Sequence, residues 1–376
     1  MVDFRKGVRE RLDAFGDRLR ALGEPWEIVA FLWVPAIVLG FSWWYELRAR
    51  ATLQDFGIFR TAALEVVHGD SPYVAATPAA LAHFDKFVYP PIAAVLFVPV
   101  AELPSEVGRV LVLAGALAAI IGALRLLHVE DWRCYGVALA STPAINSFAL
   151  GALTSFLFLG TALAWRYRNR AVVAGVVVAF TAVLKVFLWP LVIWLLATRR
   201  WRAAATCVGT GTVVLLGSWA VIGFAGLRSY PTLLHVLDRI EAPVSYSVVA
   251  LVGVRGGAET AVTVVLAVAL AAAIVLVARA PDGDRRSLAV GVIAALVATP
   301  LLWLHYLLLL YVPIALYRPR LSPLWLLPVL LWVTPTAHSQ GVTWRIALAL
   351  IVVGVVALRT AAAGLNRVAA PRPAAT

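Results

Sequence analysis

The sequence predicts an all-α polytopic membrane protein: a bundle of about twelve transmembrane helices with an outer loop of juxtamembrane helices after the first span. Three observations predict it. First, of 376 residues 62% are hydrophobic and 14% charged, with a mean hydropathy of +0.89, whereas a soluble domain holds about half apolar and about a quarter charged residues. Second, the apolar residues fall into runs long enough to approach or cross a hydrocarbon layer, bounded by Arg clusters or by Pro/Gly breaks. Third, the net charge of +12 is spread as short basic clusters between these runs. That pattern marks cytoplasmic loops and sets nucleic-acid binding aside. Cys134 and Cys207, the two cysteines, offer neither a disulfide framework nor a CxxC metal site.

Residues 1–25 form a charged amphipathic segment with Arg5, Lys6, Arg9, Arg11, Arg18 and Arg20 among Asp3, Glu10, Asp13 and Asp17. It lacks the early apolar stretch of a signal peptide, so a retained cytoplasmic surface helix is expected. The first span runs from about Trp26 to Trp44. Residues 46–104 are the longest polar interval, extracytoplasmic if the N-terminus is inside. Further spans are expected at about 106–127, 134–149, 151–165, 171–184, 186–198, 203–224, 257–279, 287–301, 304–317, 323–335 and 343–362. With these bounds the cytoplasmic turns carry Arg125 and Arg133, then Arg166, Arg168 and Arg170, then Arg199, Arg200 and Arg202. Arg279, Arg285, Arg286, Arg318 and Arg320 follow on the same side, with Arg359, Arg367 and Arg372 at the end. Several segments hold only about 14 residues, short of the roughly 17 a clean span needs. Merging 171–198 into one helix would place Arg199, Arg200 and Arg202 outside, against the charge bias. Residues 88–103 read as juxtamembrane or re-entrant. The whole is one transmembrane domain over 26–364, followed by a disordered cytoplasmic tail at 365–376.

In the outer loop, Phe56, Phe59, Ala63 and Val66 or Val67 recur at helical spacing between Asp55 and His68, with Arg60 and Glu65 opposite. This predicts an amphipathic helix along the membrane surface, stopped at Gly69, with Asp70-Ser71-Pro72 as the turn beyond it. Thr52 and Asp55 have capping-box spacing, which puts Asp55 in the first turn. Two readings of Asp55 follow: a carboxylate that only caps the helix, or a general base at the interface able to deprotonate a hydroxyl. Pro90-Pro91 holds Tyr89 extended and can start a helix immediately after.

The ordered series Asp55, Ala62-Ala63, Gly69-Asp70-Ser71-Pro72-Tyr73, Phe87-Val88-Tyr89-Pro90-Pro91, Pro99 and Leu103-Pro104 resembles the N-terminal signature of glycosyltransferase family 87, membrane enzymes of the GT-C superfamily. Gly175, Lys185, Pro190 and Arg199-Arg200-Trp201-Arg202 resemble a second stretch, and Ala298-Thr299-Pro300-Leu301-Leu302-Trp303-Leu304-His305-Tyr306 a third. The likeness covers most of the chain. It departs from the family pattern at Gly151-Ala152, where Gly-Gln is usual, although Thr154 and Ser155 are nearby, and at Thr299, where Ser is usual.

The resemblance implies a GT-C-like bundle that moves a sugar from a polyprenyl-phosphate donor to a hydroxyl of a glycolipid or polysaccharide acceptor outside the cytoplasm, with inversion. Mannose is the first expectation and arabinofuranose the alternative. It implies Asp55 as the base. The phosphate of the leaving group needs cationic or hydrogen-bonding partners. Lys185, costly in its apolar stretch, fits that role, as does His305 between Trp303 and Tyr306; snorkelling and an aromatic-belt histidine are the competing readings. Arg345, at the outer start of the last span, either reaches the phosphate or anchors the interface. Arg60, Tyr73, Tyr89 and Tyr306 complete the expected pocket. No Asp/Glu/His cluster has metal-ligand spacing, so metal-independent catalysis with no cofactor is expected, the lipid-linked sugar serving as co-substrate. A lipid or solute transporter, favoured by many spans and Lys185, and a non-catalytic envelope scaffold are the competing functions.

Overall fold

A computed structural model describes residues 23–48, 53–82, 86–333 and 341–369 of the chain. The expected N-terminal surface helix up to residue 22, Thr52, Asp85 and the tail from Ala370 lie outside these. The described residues are helical and contain no strand.

Helix α1 (Pro25–Arg48) is the first long apolar helix. One turn of it, Val29–Trp33, is π-helical. A Cβ at Gly136 would collide with the Phe31 carbonyl oxygen in that turn, so only glycine allows this approach. Helix α2 (Gln54–His68) occupies the predicted outer-loop position and ends at Gly69, φ +82. Its buried face, Phe56, Ile58, Phe59, Ala62 and Ala63, packs on α3 (Ile92–Ala101). The apolar stripe expected along a lipid surface is therefore largely covered by protein, leaving Val67 exposed. Pro91 is the N-cap of α3, as the Pro-Pro pair predicts.

Helix α4 (Ser105–Leu126) is long and apolar, whereas the next predicted span divides into α5 (Trp132–Leu139) and α6 (Thr142–Leu150). The break falls at Ala140 and Ser141, just before Pro143, which sits in the first turn of α6 where its missing N–H costs nothing. Helix α7 (Thr154–Arg166) packs on α4, and α8 (Ala171–Leu184) on α7. Lys185 is extended, φ −144 and ψ 101, and separates α8 from α9 (Val186–Ala197). The single helix over 171–198 does not form. Helix α10 (Trp201–Val221) lies along α8, and a Cβ at Gly175 would sit 2.5 Å from the Ala203 carbonyl oxygen.

An amphipathic helix, α11 (Tyr230–Glu241), follows, then α12 (Gly257–Ala278) and α13 (Gly283–Val297), which pack together. The chain ends with α14 (Leu304–Tyr317), α15 (Pro323–Val333) and α16 (Thr343–Ala369). Helices α14 and α15 contain 3-10 turns, which lengthen them per residue. Among the described residues five helices are long and apolar enough to cross a membrane: α1, α4, α10, α12 and the 343–362 part of α16. The remaining apolar segments of the expected twelve are shorter, so the bundle is one of long helices interleaved with broken ones.

The turns predicted to be cytoplasmic gather in two ion-paired groups. Asp284 accepts from Arg168 at 2.8 Å and from Arg200 at 2.6 and 2.9 Å, joining the turns that follow α7, α9 and α12. Arg133 pairs with Asp131 and Glu27, Leu321 N–H donates to Asp131 at 3.1 Å, and Arg320 pairs with Glu130.

Candidate functional site

Asp55 is positioned by its helix start. Leu53, φ +59, is the N-cap of α2, and its N–H donates to the Ala149 carbonyl near the end of α6 at 3.0 Å. Gly151, φ +67, supports this docking, since a Cβ there would meet the Phe56 Cβ at 3.1 Å. Leu53 has no capping side chain. The expected Thr52–Asp55 capping box rests on a residue outside the described ones, and the Tyr89 hydroxyl lies close enough to the Asp55 carboxylate to favour its ionised form. Burial raises Asp55 from 3.8 to about 6, while nearby Lys185 and the Tyr89 hydroxyl pull the other way. Burial, joined by the adjacent Asp55, pushes the Tyr89 phenol well above its ordinary value. Tyr89 therefore remains a hydrogen-bond donor near neutral pH.

Lys185 comes from the break between α8 and α9. Non-helical backbone at this depth is tolerated where protein or a cavity surrounds it. Its ammonium donates to the Tyr306 hydroxyl and lies 4.5 Å from the ring centroids of both Tyr89 and Tyr306. Phe187, two residues beyond Lys185, stacks on Tyr306 at 4.7 Å with an interplanar angle of 6°. His305 meets Tyr306 edge-on at 4.6 Å, and its Nδ1 is 3.3 Å from the Asn146 Oδ1. His305 Nε2 is buried and has no hydrogen-bond partner among the described residues.

Asp55, Tyr89 and Lys185 keep partial exposure, whereas His305 and Tyr306 are 4% and 5% exposed. The carboxylate, phenol and ammonium are thus the more accessible members of the cluster, and the His305–Tyr306 pair is the more enclosed. Chemically, the cluster offers a base of raised basicity, a cation within its electrostatic reach and hydroxyl donors. No group of three or more His, Cys, Asp or Glu suited to a metal occurs among the described residues.

Other expected pocket residues fall elsewhere. The Tyr73 hydroxyl donates to the Tyr89 carbonyl at 2.8 Å and Tyr230 to the Val88 carbonyl at 3.1 Å, while both rings pack on Trp219. Tyr73 therefore supports the loop that carries Tyr89. A Cβ at Gly226, φ +82, would lie 3.0 Å from the Tyr73 ring. Arg60 and Arg345 each have an enclosed Nε with no partner, and Arg345 lies over Trp344 at 5.2 Å. Among the described residues no hydrogen bond, ion pair or ring contact joins either arginine to Asp55, Lys185 or His305. Ala152 is buried where the family pattern has an amide; Thr299 bonds the Leu301 carbonyl at 2.9 Å.

Asn146, Phe187, Trp219 and Tyr230 pack at or behind this cluster, and the sequence pattern does not single them out. Asn146 carries a signal, as an amide inside the apolar run 134–149. The aromatic residues carry none, since aromatics occur throughout the chain.

A model of glycosyltransferase family 87 matches residues 87–304, more than half of the chain. Asp55 precedes the matched stretch and His305 follows it by one residue. The chain is 26% identical over 271 residues to a polyprenol-phosphate-mannose-dependent alpha-(1-2)-phosphatidylinositol pentamannoside mannosyltransferase of Mycolicibacterium smegmatis, covering 65% of this chain and 60% of that protein. It is 24% identical over 227 residues to an alpha-(1->3)-arabinofuranosyltransferase of the same organism, covering 56% and 52%. The chain therefore spans between about half and three fifths of these relatives' lengths. No solved structure matches.

Proposed function

The chain belongs to glycosyltransferase family 87, and from that premise we propose that it transfers a sugar from a polyprenyl-phosphate donor to a hydroxyl of a glycolipid or glycan acceptor at the extracytoplasmic membrane face. Mannose is the first donor sugar to test, since one relative is named for polyprenol-phosphate-mannose. Arabinofuranose is the second, because the other relative is an arabinofuranosyltransferase.

In this reading the acceptor oxygen attacks the anomeric carbon and its proton passes to Asp55. The bond from that carbon to the phosphate oxygen breaks, the electron pair leaves with the polyprenyl phosphate, and the anomeric configuration inverts. Asp55 at about 6 is mostly ionised at neutral pH yet more basic than an ordinary carboxylate, which suits a general base. Tyr89 orients it. Lys185 offers charge to the phosphate, where a desolvated cation is worth more than in water. The outer placement follows from the Arg-bearing turns, whose two ion-paired groups would face the cytoplasm with both termini. The chain would act within the plasma membrane as a multi-pass protein, without metal.

The observation that carries the proposal is the convergence of Asp55, Tyr89, Lys185 and Tyr306 from separate parts of the chain. The test is a donor screen with purified protein in lipid, using polyprenyl-phosphate mannose and polyprenyl-phosphate arabinofuranose, with Asp55→Asn as control. Transfer by the wild type and its loss in the variant support the assignment. Undiminished transfer by a folded Asp55→Asn protein removes Asp55 as the base.

A further inference from the structure

Within the sugar-transfer reading, we propose that Asn146 is a positioning residue: it holds His305 as the Nδ1–H tautomer, so that Nε2 accepts a hydrogen bond from a hydroxyl of the transferred sugar.

Three observations carry this. His305 Nδ1 and Asn146 Oδ1 are 3.3 Å apart, and both residues are 4% exposed, so no bulk water competes for the bond. A carbonyl oxygen can only accept, which places the proton on Nδ1 and the lone pair on Nε2. Nε2 is itself buried and unpartnered, an arrangement that costs stability unless a ligand donor completes it. The charge balance points to a hydroxyl rather than to the phosphate. Lys185 already supplies a positive charge within electrostatic reach of His305. A second cation there would add both desolvation and repulsion. A neutral ring with an open acceptor atom matches a sugar hydroxyl, and it leaves the phosphate to Lys185. Helix α6 also explains how the two halves of the site stay in register. Its Ala149 carbonyl holds the start of the Asp55 helix and its Asn146 holds His305, one turn apart on the same rigid element.

The test uses full-length protein in lipid nanodiscs, with 15N-histidine labelling and His305→Gln to identify the resonance. At neutral pH the expected state is protonated Nδ1 and bare Nε2. Asn146→Leu is expected to lose this preference and to slow transfer about tenfold, while Asn146→Asp keeps the tautomer. An Nε2–H tautomer or an imidazolium in the wild type overturns the proposal, as does an unchanged tautomer in Asn146→Leu. Should that variant not fold, the wild-type spectrum decides alone. The hydroxyl contact is read from single-deoxy analogues of polyprenyl-phosphate mannose. One position is expected to cost the wild type about tenfold but His305→Leu less than about twofold. Equal losses at every position in both proteins overturn the contact. Absence of any transfer overturns the sugar-transfer reading and this hydroxyl assignment, while the tautomer measurement still decides the Asn146 role.

Discussion

The Tyr89 hydroxyl stands beside the Asp55 carboxylate and favours its ionised form, bringing the Pro-Pro loop ahead of α3 to the first turn of α2. The loop is held in turn by Tyr73 and Tyr230 through the carbonyls of Tyr89 and Val88. A carboxylate beside a tyrosine whose own backbone is anchored twice has a neighbour with little freedom to move away.

Replacing Tyr89 with Phe removes that hydroxyl and keeps the ring beside Lys185. The expected result is a fall in kcat of about tenfold at neutral pH. The acid limb of the pH–rate profile should also move to higher pH, because the hydroxyl favours the ionised carboxylate. Steady-state rates across pH for both proteins check this. An unmoved limb argues that Tyr89 does not orient the base.

The acid limb itself should track Asp55. With the carboxyl at about 6, the ionised base is lost as pH falls through that value, and transfer falls with it. Stability runs the other way. A carboxyl raised above 3.8 contributes stability that is fully present below that pH and is lost as pH rises through about 6. Rates and thermal midpoints measured on the same preparations should therefore show opposite trends from this group between pH 3.8 and about 6, the two values that bound the window.

Lys185→Met keeps a flexible apolar side chain and removes the charge. Donor binding should weaken, with a higher KM and a loss of at least about a hundredfold in kcat/KM, if Lys185 meets the phosphate. Lys185→Arg should recover only part, since the planar guanidinium does not fit between two rings as the compact ammonium does. Full activity in Lys185→Met excludes the phosphate role.

Gly175 tests the packing rather than the chemistry. A side chain there meets the Ala203 carbonyl oxygen at 2.5 Å and the Thr206 Cβ at 2.6 Å, so Gly175→Leu must push α8 from α10. Overpacking of this kind costs about 1–3 kcal/mol. A drop in Tm in detergent should accompany a loss of activity, because α8 ends at Lys185.

Asp284 tests the opposite end. Asp284→Asn leaves Arg168 and Arg200 without their shared carboxylate, and at these partly exposed positions the expected cost is about 1 kcal/mol. Thermal unfolding should shift while donor KM is unchanged.

Much of the helical order is legible in the order of residues alone. The runs at 105–126, 171–184 and 257–278 are predominantly apolar stretches bounded by charge or proline, and local composition suffices to end them. The capping of α2 is not legible in this way. Leu53 adopts a left-handed conformation because α6 holds its N–H, a partner nearly a hundred residues away that no local pattern reveals. Likewise Tyr73 reads as a pocket residue by sequence, since a tyrosine beside a signature motif carries no mark of which way its ring turns.

By itself the sequence determined that the chain is a membrane-embedded helical bundle, because hydropathy and Arg placement are properties of segments. It also singled out Lys185 and His305, since an ionisable side chain in or beside apolar runs stands out without neighbours, whereas Asp55 in its polar loop was distinguished from a helix cap only by the family resemblance. Only the tertiary structure decided what those residues touch. The break at Lys185, the 3-10 turn at His305 and the docking of α2 on α6 bring together side chains far apart in the chain. That convergence depends on contacts between helices, and it assigned Tyr89 to the carboxylate, Tyr306 to the ammonium and Asn146 to the imidazole.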